Sequence, residues 1–269
     1  MQDTRFIALF DLHFGYDWHH TVNGLERKPA HDLGMVKIAA DFIKDFEPNK
    51  IIFGGDQFHS SSISHWNKDK IISHVKDSYT DELDLFRTKC MTPIISAAPS
   101  TSEAVVLVGN HCQWALNLKE KFPQLQKLID PYAYLGISGP GAKRDGWTYI
   151  PQGGRYDLGK MHFIHGDILK AGVMHARSAV YEWNCNLRYG HFHSFQAATK
   201  CGQVSERDKK TAISVPMMGA HNPEFLKGAA NAWMQGFLYG YVSKSGNFSD
   251  YVVIVPGREV IINGKVYSK

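Results

Sequence analysis

Residues 51–59 read Ile51-Ile52-Phe53-Gly54-Gly55-Asp56-Gln57-Phe58-His59. An apolar run with β-preference enters two glycines, then delivers an acid and, three residues later, an imidazole. A buried strand of a parallel sheet presents ligands in this way at its carboxyl edge, where the chain leaves the sheet. Asp56 is therefore a candidate shared metal ligand. Its two oxygens can touch two cations held roughly 3.5–4 Å apart, the spacing of two-metal phosphoryl chemistry. The other ligands must come from other strand ends.

Upstream, Arg5 to Leu12 reads as a buried first strand ending in Asp11-Leu12-His13-Phe14-Gly15. On an extended backbone Asp11 and His13 point the same way and can share one cation. Taken alone, a capping Asp beside a solvent-facing His is the preferred reading. Tyr16 to Leu33 is expected to be a long polar, aromatic loop carrying His19, His20, Arg27, Lys28 and His31. The spacing from His31 to Phe46 predicts a helix stopped by Pro48, which makes a β-α-β unit with ligands at both strand ends.

Downstream, Trp66 to Lys89 is expected to be a covering helix whose acids Asp77, Asp81, Glu82 and Asp84 form a solvated face. Ala104 to Val108 is a third buried strand, stopping at Gly109-Asn110-His111; an Asn offers a metal a neutral oxygen. Pro123 to Ile137 reads as a short helix and turn. The glycine-rich basic stretch from Gly139 to Arg144 lacks the Gly-Lys-Ser or Gly-Lys-Thr ending of a phosphate-binding loop. Trp147 to Pro151 and Lys160 to Ile164 are expected in a second sheet, the latter ending in His165-Gly166-Asp167. A helix over Ala171 to Trp183 precedes a short strand, Leu187 to Tyr189, that ends in Gly190-His191-Phe192-His193. His-x-His on an extended segment would repeat the geometry of Asp11 and His13. From Thr211 onward the pattern is antiparallel strands with an Asn263-Gly264 hairpin turn, and His221-Asn222-Pro223-Glu224 forms a loop that can touch substrate.

Composition narrows the class. A chain of 269 residues with 43% hydrophobic and 21% charged residues suits one globular domain spanning residues 1–269. No apolar run reaches the length of a membrane span, so no membrane partner is expected. No secretory signal is visible at Met1 to Arg5, and the expected location is the cytoplasm. Cys90, Cys112, Cys185 and Cys201 are scattered with no Cys-x-x-Cys pair, which suggests neither a disulfide framework nor a thiolate zinc site. The net charge of +4 is no nucleic-acid signature by itself.

Each motif has a bland reading, but five strand ends carry ligand-type residues in order: Asp11/His13, Asp56/His59, Asn110/His111, His165 and His191/His193. Core histidines would scatter over helix and strand faces, whereas these follow apolar runs beside glycines. The order resembles the calcineurin-like metallophosphoesterase superfamily, with its Asp-x-His, Gly-Asp, Gly-Asn-His, His and Gly-His-x-His blocks. The resemblance runs from Asp11 to His193. It implies an α/β fold, a four-layer α/β/β/α sandwich of two mixed sheets flanked by helices, and two divalent metal ions: manganese first, with iron, zinc or cobalt also suited. Asp11, His13, Asp56 and His193 would bind one metal, and Asp56, Asn110, His165 and His191 the other. A metal-bridging hydroxide would attack phosphorus in line, with His111 protonating the leaving group or holding the phosphate. Gly-Gly-Asp-x-Phe-His looks like the SbcD-type DNA repair nucleases, which makes His59 a second catalytic residue. Cys112 stands where those nucleases commonly have Asp, and with no capping domain evident a free-standing small enzyme is expected.

The resemblance thus implies a phosphodiesterase acting on nucleic acid, DNA included, or on a nucleotide. Arg27, Lys28, Lys143, Arg144 and Arg188 are expected near the rim, with Tyr16 and Trp18 able to stack bases. A phosphomonoesterase for a small metabolite, or a non-catalytic interaction scaffold on the same fold, are the alternatives.

Overall fold

Strand β1 (Thr4–Leu9) sets the layering. Phe6 and Ala8 face the space between two sheets, while Ile7 and Leu9 face a layer of helices. The computed structural model describes residues 3–22, 24–64, 78–137, 143–144, 146–202, 209–220 and 231–269. The larger sheet runs β14 (Phe248–Ile254), β13 (Gly236–Val242), β1, β4 (Lys50–Phe53), β5 (Glu103–Leu107), β7 (Trp147–Ile150) and β6 (Lys143–Arg144) in spatial order. Its centre, β1 to β7, is parallel, and antiparallel strands close both edges. The smaller sheet runs β11 (Gln196–Lys200), β12 (Lys210–Ser214), β10 (Asn186–Tyr189), β9 (Met161–Ile164) and β8 (Tyr156–Leu158).

Among the described residues, three cores hold four layers together. Between the sheets, Phe6, Ile52 and Leu107 meet Met161, Phe163 and Val215. Outside the larger sheet lie α1 (Leu33–Phe46), α2 (Tyr79–Phe86), a π-turn at Arg87–Met91, α3 (Thr92–Ala97) and α4 (Asn110–Lys121). Phe42, Phe86, Ile94 and Cys112 of this layer cover Ile7, Leu9 and Phe53. Outside the smaller sheet, α5 (His175–Trp183) sets Ala179 and Val180 on Ile164, Leu187 and Tyr189. Each fully buried Phe contributes roughly 1.5–3 kcal/mol. The architecture is the α/β/β/α sandwich expected, with two mixed sheets.

Local signals explain the elements. In α1 the Asp32 side chain accepts from the Gly34 and Met35 amides, and the apolar stripe from Met35 to Phe46 is buried. Glu47, left-handed at φ 48°, and then Pro48 stop it. A hairpin of β15 (Glu259–Ile262) and β16 (Lys265–Ser268) turns at Asn263 and Gly264, whose φ values of 51° and 80° suit a type I′ turn. The four cysteine thiols are free. Among the described residues no helix is long and apolar enough to cross a membrane.

Several expectations need correction. Tyr16 to Leu33 is chiefly a hairpin of β2 (Tyr16–Thr21) and β3 (Gly24–Pro29), in antiparallel register from Tyr16–Pro29 to Thr21–Gly24, so that the two segments satisfy each other's backbone groups. Trp147–Ile150 belongs to the first sheet, because the helical segment after Asn110 supplies the crossover that a parallel partner of β5 needs. Strand β12 lies parallel to β10, with antiparallel pairing only to β11. Of the helix expected over Trp66 to Lys89, α2 begins at Tyr79, and residues 65–77 lie outside the described residues. Glu82 is not on a solvated face but buried beside Leu83 and Phe86; its carboxylate accepts from the Ser60 amide (2.7 Å) and the Ser61 hydroxyl (3.2 Å). Arg188 is not at a rim. It is buried between the sheets' strands β10 and β14, pairing with Asp250 through Nε (2.5 Å) and a terminal nitrogen (3.1 Å). The expected loops at His221 to Glu224 and over residues 139–142 lie outside the described residues.

Candidate metal centre

The loops after β1 and β4 run side by side. The amides of Asp11, His13 and Phe14 donate to the carbonyls of Gly55, Asp56 and Gln57, and that of His59 donates to Phe14. This ladder prolongs the sheet register beyond its last strand residues. Asp11 and His13 are not extended, however: their φ values are 52° and 48°, and Asp56 (46°), His191 (67°) and His193 (57°) are likewise left-handed. Left-handed turns, rather than strand alternation, aim these side chains. Gln57 locks the floor. Its buried amide donates to the carbonyls of Phe53 and Leu107 and accepts from Cys112 Sγ (3.1 Å) and the Tyr132 hydroxyl (3.2 Å).

Glycines admit the ligands. A Cβ on Gly109 would lie 2.1 Å from Asp56 Oδ1, and one on Gly190 would lie 2.4 Å from Asp11 Oδ2. Those two carboxylates are further held by the amides of His111 (2.9 Å to Asp56 Oδ1) and His191 (2.8 Å to Asp11 Oδ2).

Two mixed groups of donors result, Asp11 with His13 and His193, and Asp56 with His165 and His191. In the first, His13 Nε2 and His193 Nε2 are 3.1 Å apart and Asp11 Oδ1 is 3.7 Å from His193 Nε2. In the second, His165 Nε2 lies 3.3 Å from Asp56 Oδ2 and 3.1 Å from Asn110 Oδ1, which is also 3.0 Å from His191 Nδ1. The groups adjoin, with His165 Nδ1 3.9 Å from Asp11 Oδ1. Asp56 joins only the second group at this spacing. Beside the first stand His59 and His111, whose ring centroids are 5.6 Å and 4.8 Å from that of His13.

This donor set fits divalent cations. Asp11 Oδ1 is buried without a hydrogen-bond partner, which is costly unless a cation meets it. Two nitrogens bound about 2.1 Å from one ion at right angles lie about 3.0 Å apart, close to the His13–His193 separation. His165 Nδ1 faces the Gly54 carbonyl at 3.1 Å, so it carries the hydrogen and turns the Nε2 lone pair toward Asp56 and Asn110.

The electrostatics agree. Burial, reinforced by the neighbouring imidazoles, lowers His13 strongly and His193 to about 3, keeping both in the neutral ligand form. Burial would raise Asp56, but His165 and His111 outweigh it and hold the carboxylate ionised. Burial would lower His165, yet Asp56 and Asp11 push it up to about 10, a measure of the negative field concentrated there. Asp11 itself is raised to about 7 by burial.

The cavity over these groups has a volume of about 200 Å³ and is walled by Asp17, Pro29, Ala30, Met217, Ala220 and Trp233 as well as His13, Asp56, Asn110, His191 and His193. Sequence reasoning missed Asp17, Trp233 and Glu82. Asp17 lies in β2 and meets His59 Nε2 at 2.8 Å, while the Trp233 ring stands 4.3 Å from that of His193. No motif spacing reaches them, because the hairpin brings in Asp17, helix α2 brings in Glu82 and a segment far along the chain brings in Trp233. Tyr16, expected to stack bases, has the Arg27 guanidinium 3.6 Å over its ring, and Trp18 does not line the cavity.

No family model and no curated protein sequence matches the chain. Among solved structures it is similar to Vps29 of Chaetomium thermophilum at a TM-score of 0.36 and 10% identity, over 93% of this chain and 97% of that one. So loose a likeness leaves the reading of the site to the residues themselves.

Proposed function

We propose that the protein is a divalent-metal-dependent phosphoesterase that hydrolyses phosphodiesters, with nucleic acid or a nucleotide as substrate. The observation that carries this is the pair of adjoining carboxylate–imidazole groups at the strand ends, opened to a cavity that also contains His59 and His111. Asp11, His13 and His193 would hold one cation, and Asp56, Asn110, His165 and His191 the other. Such cations, of which manganese, iron, zinc and cobalt suit these donors, acidify a water and neutralise phosphoryl charge.

The chain's own residues divide the remaining work. His111 Nδ1 donates to the His59 carbonyl at 2.7 Å, which fixes the ring and leaves Nε2 for a substrate oxygen. Burial would lower His59, but the hydrogen bond and charge of Asp17, with Glu82 behind, raise it. His59 is therefore the better proton donor and His111 the better acceptor near neutral pH. Their pairing supports the likeness to SbcD-type nucleases. The rim support is smaller than the sequence suggests, since Arg188 is committed to Asp250.

The test is manganese-dependent turnover of single-stranded DNA, bis-para-nitrophenyl phosphate and para-nitrophenyl phosphate side by side. Cleavage of DNA or of the bis ester, lost in His59→Ala, is expected. Monoester turnover alone would make the protein a phosphomonoesterase, and a metal-loaded protein inert toward all three would make it a binding protein on this fold.

A further inference from the structure

His13 belongs to two donor groups. One is the Asp11–His193 group; the other is His13, His59 and His111, each of which brings one ring nitrogen within 4.8 Å of those of the other two. The second trio contains no carboxylate. Its tautomers are set from outside, because His59 Nε2 donates to Asp17 at 2.8 Å and His111 Nδ1 donates to the His59 carbonyl at 2.7 Å. His59 and His111 thus each have one nitrogen anchored to an oxygen and the other lone pair available, the arrangement of a metal-ligating histidine. His59 Nδ1 faces His13 Nδ1 at 3.5 Å. The opposite nitrogen of His13 faces His193 Nε2 at 3.1 Å.

We propose that His13, His59 and His111 form a third cation site, selective for zinc over manganese, which competes with the Asp11–His13–His193 group for His13. Selectivity follows from the donors: three neutral imidazoles favour zinc, whereas manganese and magnesium favour carboxylate and water oxygen. Competition follows from the lone pairs. A neutral imidazole has one, so the Nδ1–H form of His13 serves the Asp11 group and the Nε2–H form serves the trio. A zinc ion in the trio also releases to solvent any proton held on His59 Nδ1. Zinc would occupy both residues proposed to meet substrate and take a ligand from a working group, making it an inhibitor. That consequence rests on the proposed function; the binding does not.

The test counts zinc. Asp11→Ala/His193→Ala keeps the Asp56 group and the trio, so after equilibrium dialysis against zinc alone it should retain two ions per chain, and one when His111→Ala is added. One ion in the double variant overturns the proposal. Should that variant fail to fold, crystals of the unaltered protein soaked in zinc give an independent answer by anomalous scattering. A peak bounded by His59 Nδ1 and His111 Nε2 is expected, and peaks confined to the carboxylate groups overturn the site. A zinc peak in the trio of a protein that hydrolyses no phosphate ester with any metal would leave the site standing and refute the phosphoesterase reading.

Discussion

Replacing Glu82 by Gln should change how stability depends on pH. Glu82 is 1% exposed, and burial, only partly offset by His59 and the Ser60 and Ser61 hydrogen bonds, raises its carboxyl from 4.5 to about 7. An acid whose folded value lies above its unfolded value is uncharged in the fold when it has already ionised in the unfolded chain. Below pH 4.5 the native state suffers no penalty; between 4.5 and about 7 the unfolded state gains, and above that the loss is complete. At about 1.4 kcal/mol per pH unit the loss is roughly 3 kcal/mol. Gln cannot ionise, but it exchanges one accepting oxygen for a donor, costing about 1 kcal/mol at every pH. Urea unfolding of both proteins from pH 4 to pH 8 should therefore show the variant weaker at pH 4 and gaining on the parent by roughly 3 kcal/mol by pH 8. A constant difference across the range, or one growing in the parent's favour, would refute the assignment of Glu82 as a buried, raised acid.

Asp250→Ala leaves the Arg188 guanidinium buried without its carboxylate and should cost about 3–5 kcal/mol in urea unfolding; a cost under about 1 kcal/mol would mean that the pair does not join the sheets. His59→Ala and His111→Ala should each lower turnover by about 10²–10⁴-fold while metal content, counted in manganese alone, stays at the parent's level. Asp56→Ala should lose metal along with activity, and equal metal loss in all three variants would contradict the division between ligands and proton-handling residues. Gly109→Ala sets a methyl against Asp56 Oδ1, 2.1 Å away, and should weaken metal binding with little change in helical content by circular dichroism; unchanged metal affinity would show that the loop gives way.

Much of the layering was legible because burial writes itself into strands. The apolar runs before Asp11, Asp56, Asn110 and His165 are β1, β4, β5 and β9, and their ends do meet at one edge. What was not legible depends on turns and on contacts between distant segments. Nothing in Asp-x-His distinguishes an extended backbone from one turned left-handed, since Asp and His tolerate both. Glu82 sits in a run of alternating charges, and the amide of Ser60, 22 positions away, with the Ser61 hydroxyl, shows why that acid turns inward. Arg188 reads as surface charge until Asp250 is placed on the facing sheet. Asp17 is invisible until the hairpin folds back over His59.

The left-handed backbone at Asp11, His13, Asp56, His191 and His193 restricts which amino acids these positions can hold. A β-branched residue would be wrong twice, lacking the donor and straining the turn by about 1–2 kcal/mol. At Asp11 and Asp56 asparagine is wrong only once, because it tolerates the turn and keeps an oxygen but gives up the charge. A chain of this shape can therefore shed its affinity for cations by single exchanges that scarcely disturb its folding, so an intact outline in a sibling protein would say little about whether its chemistry survives.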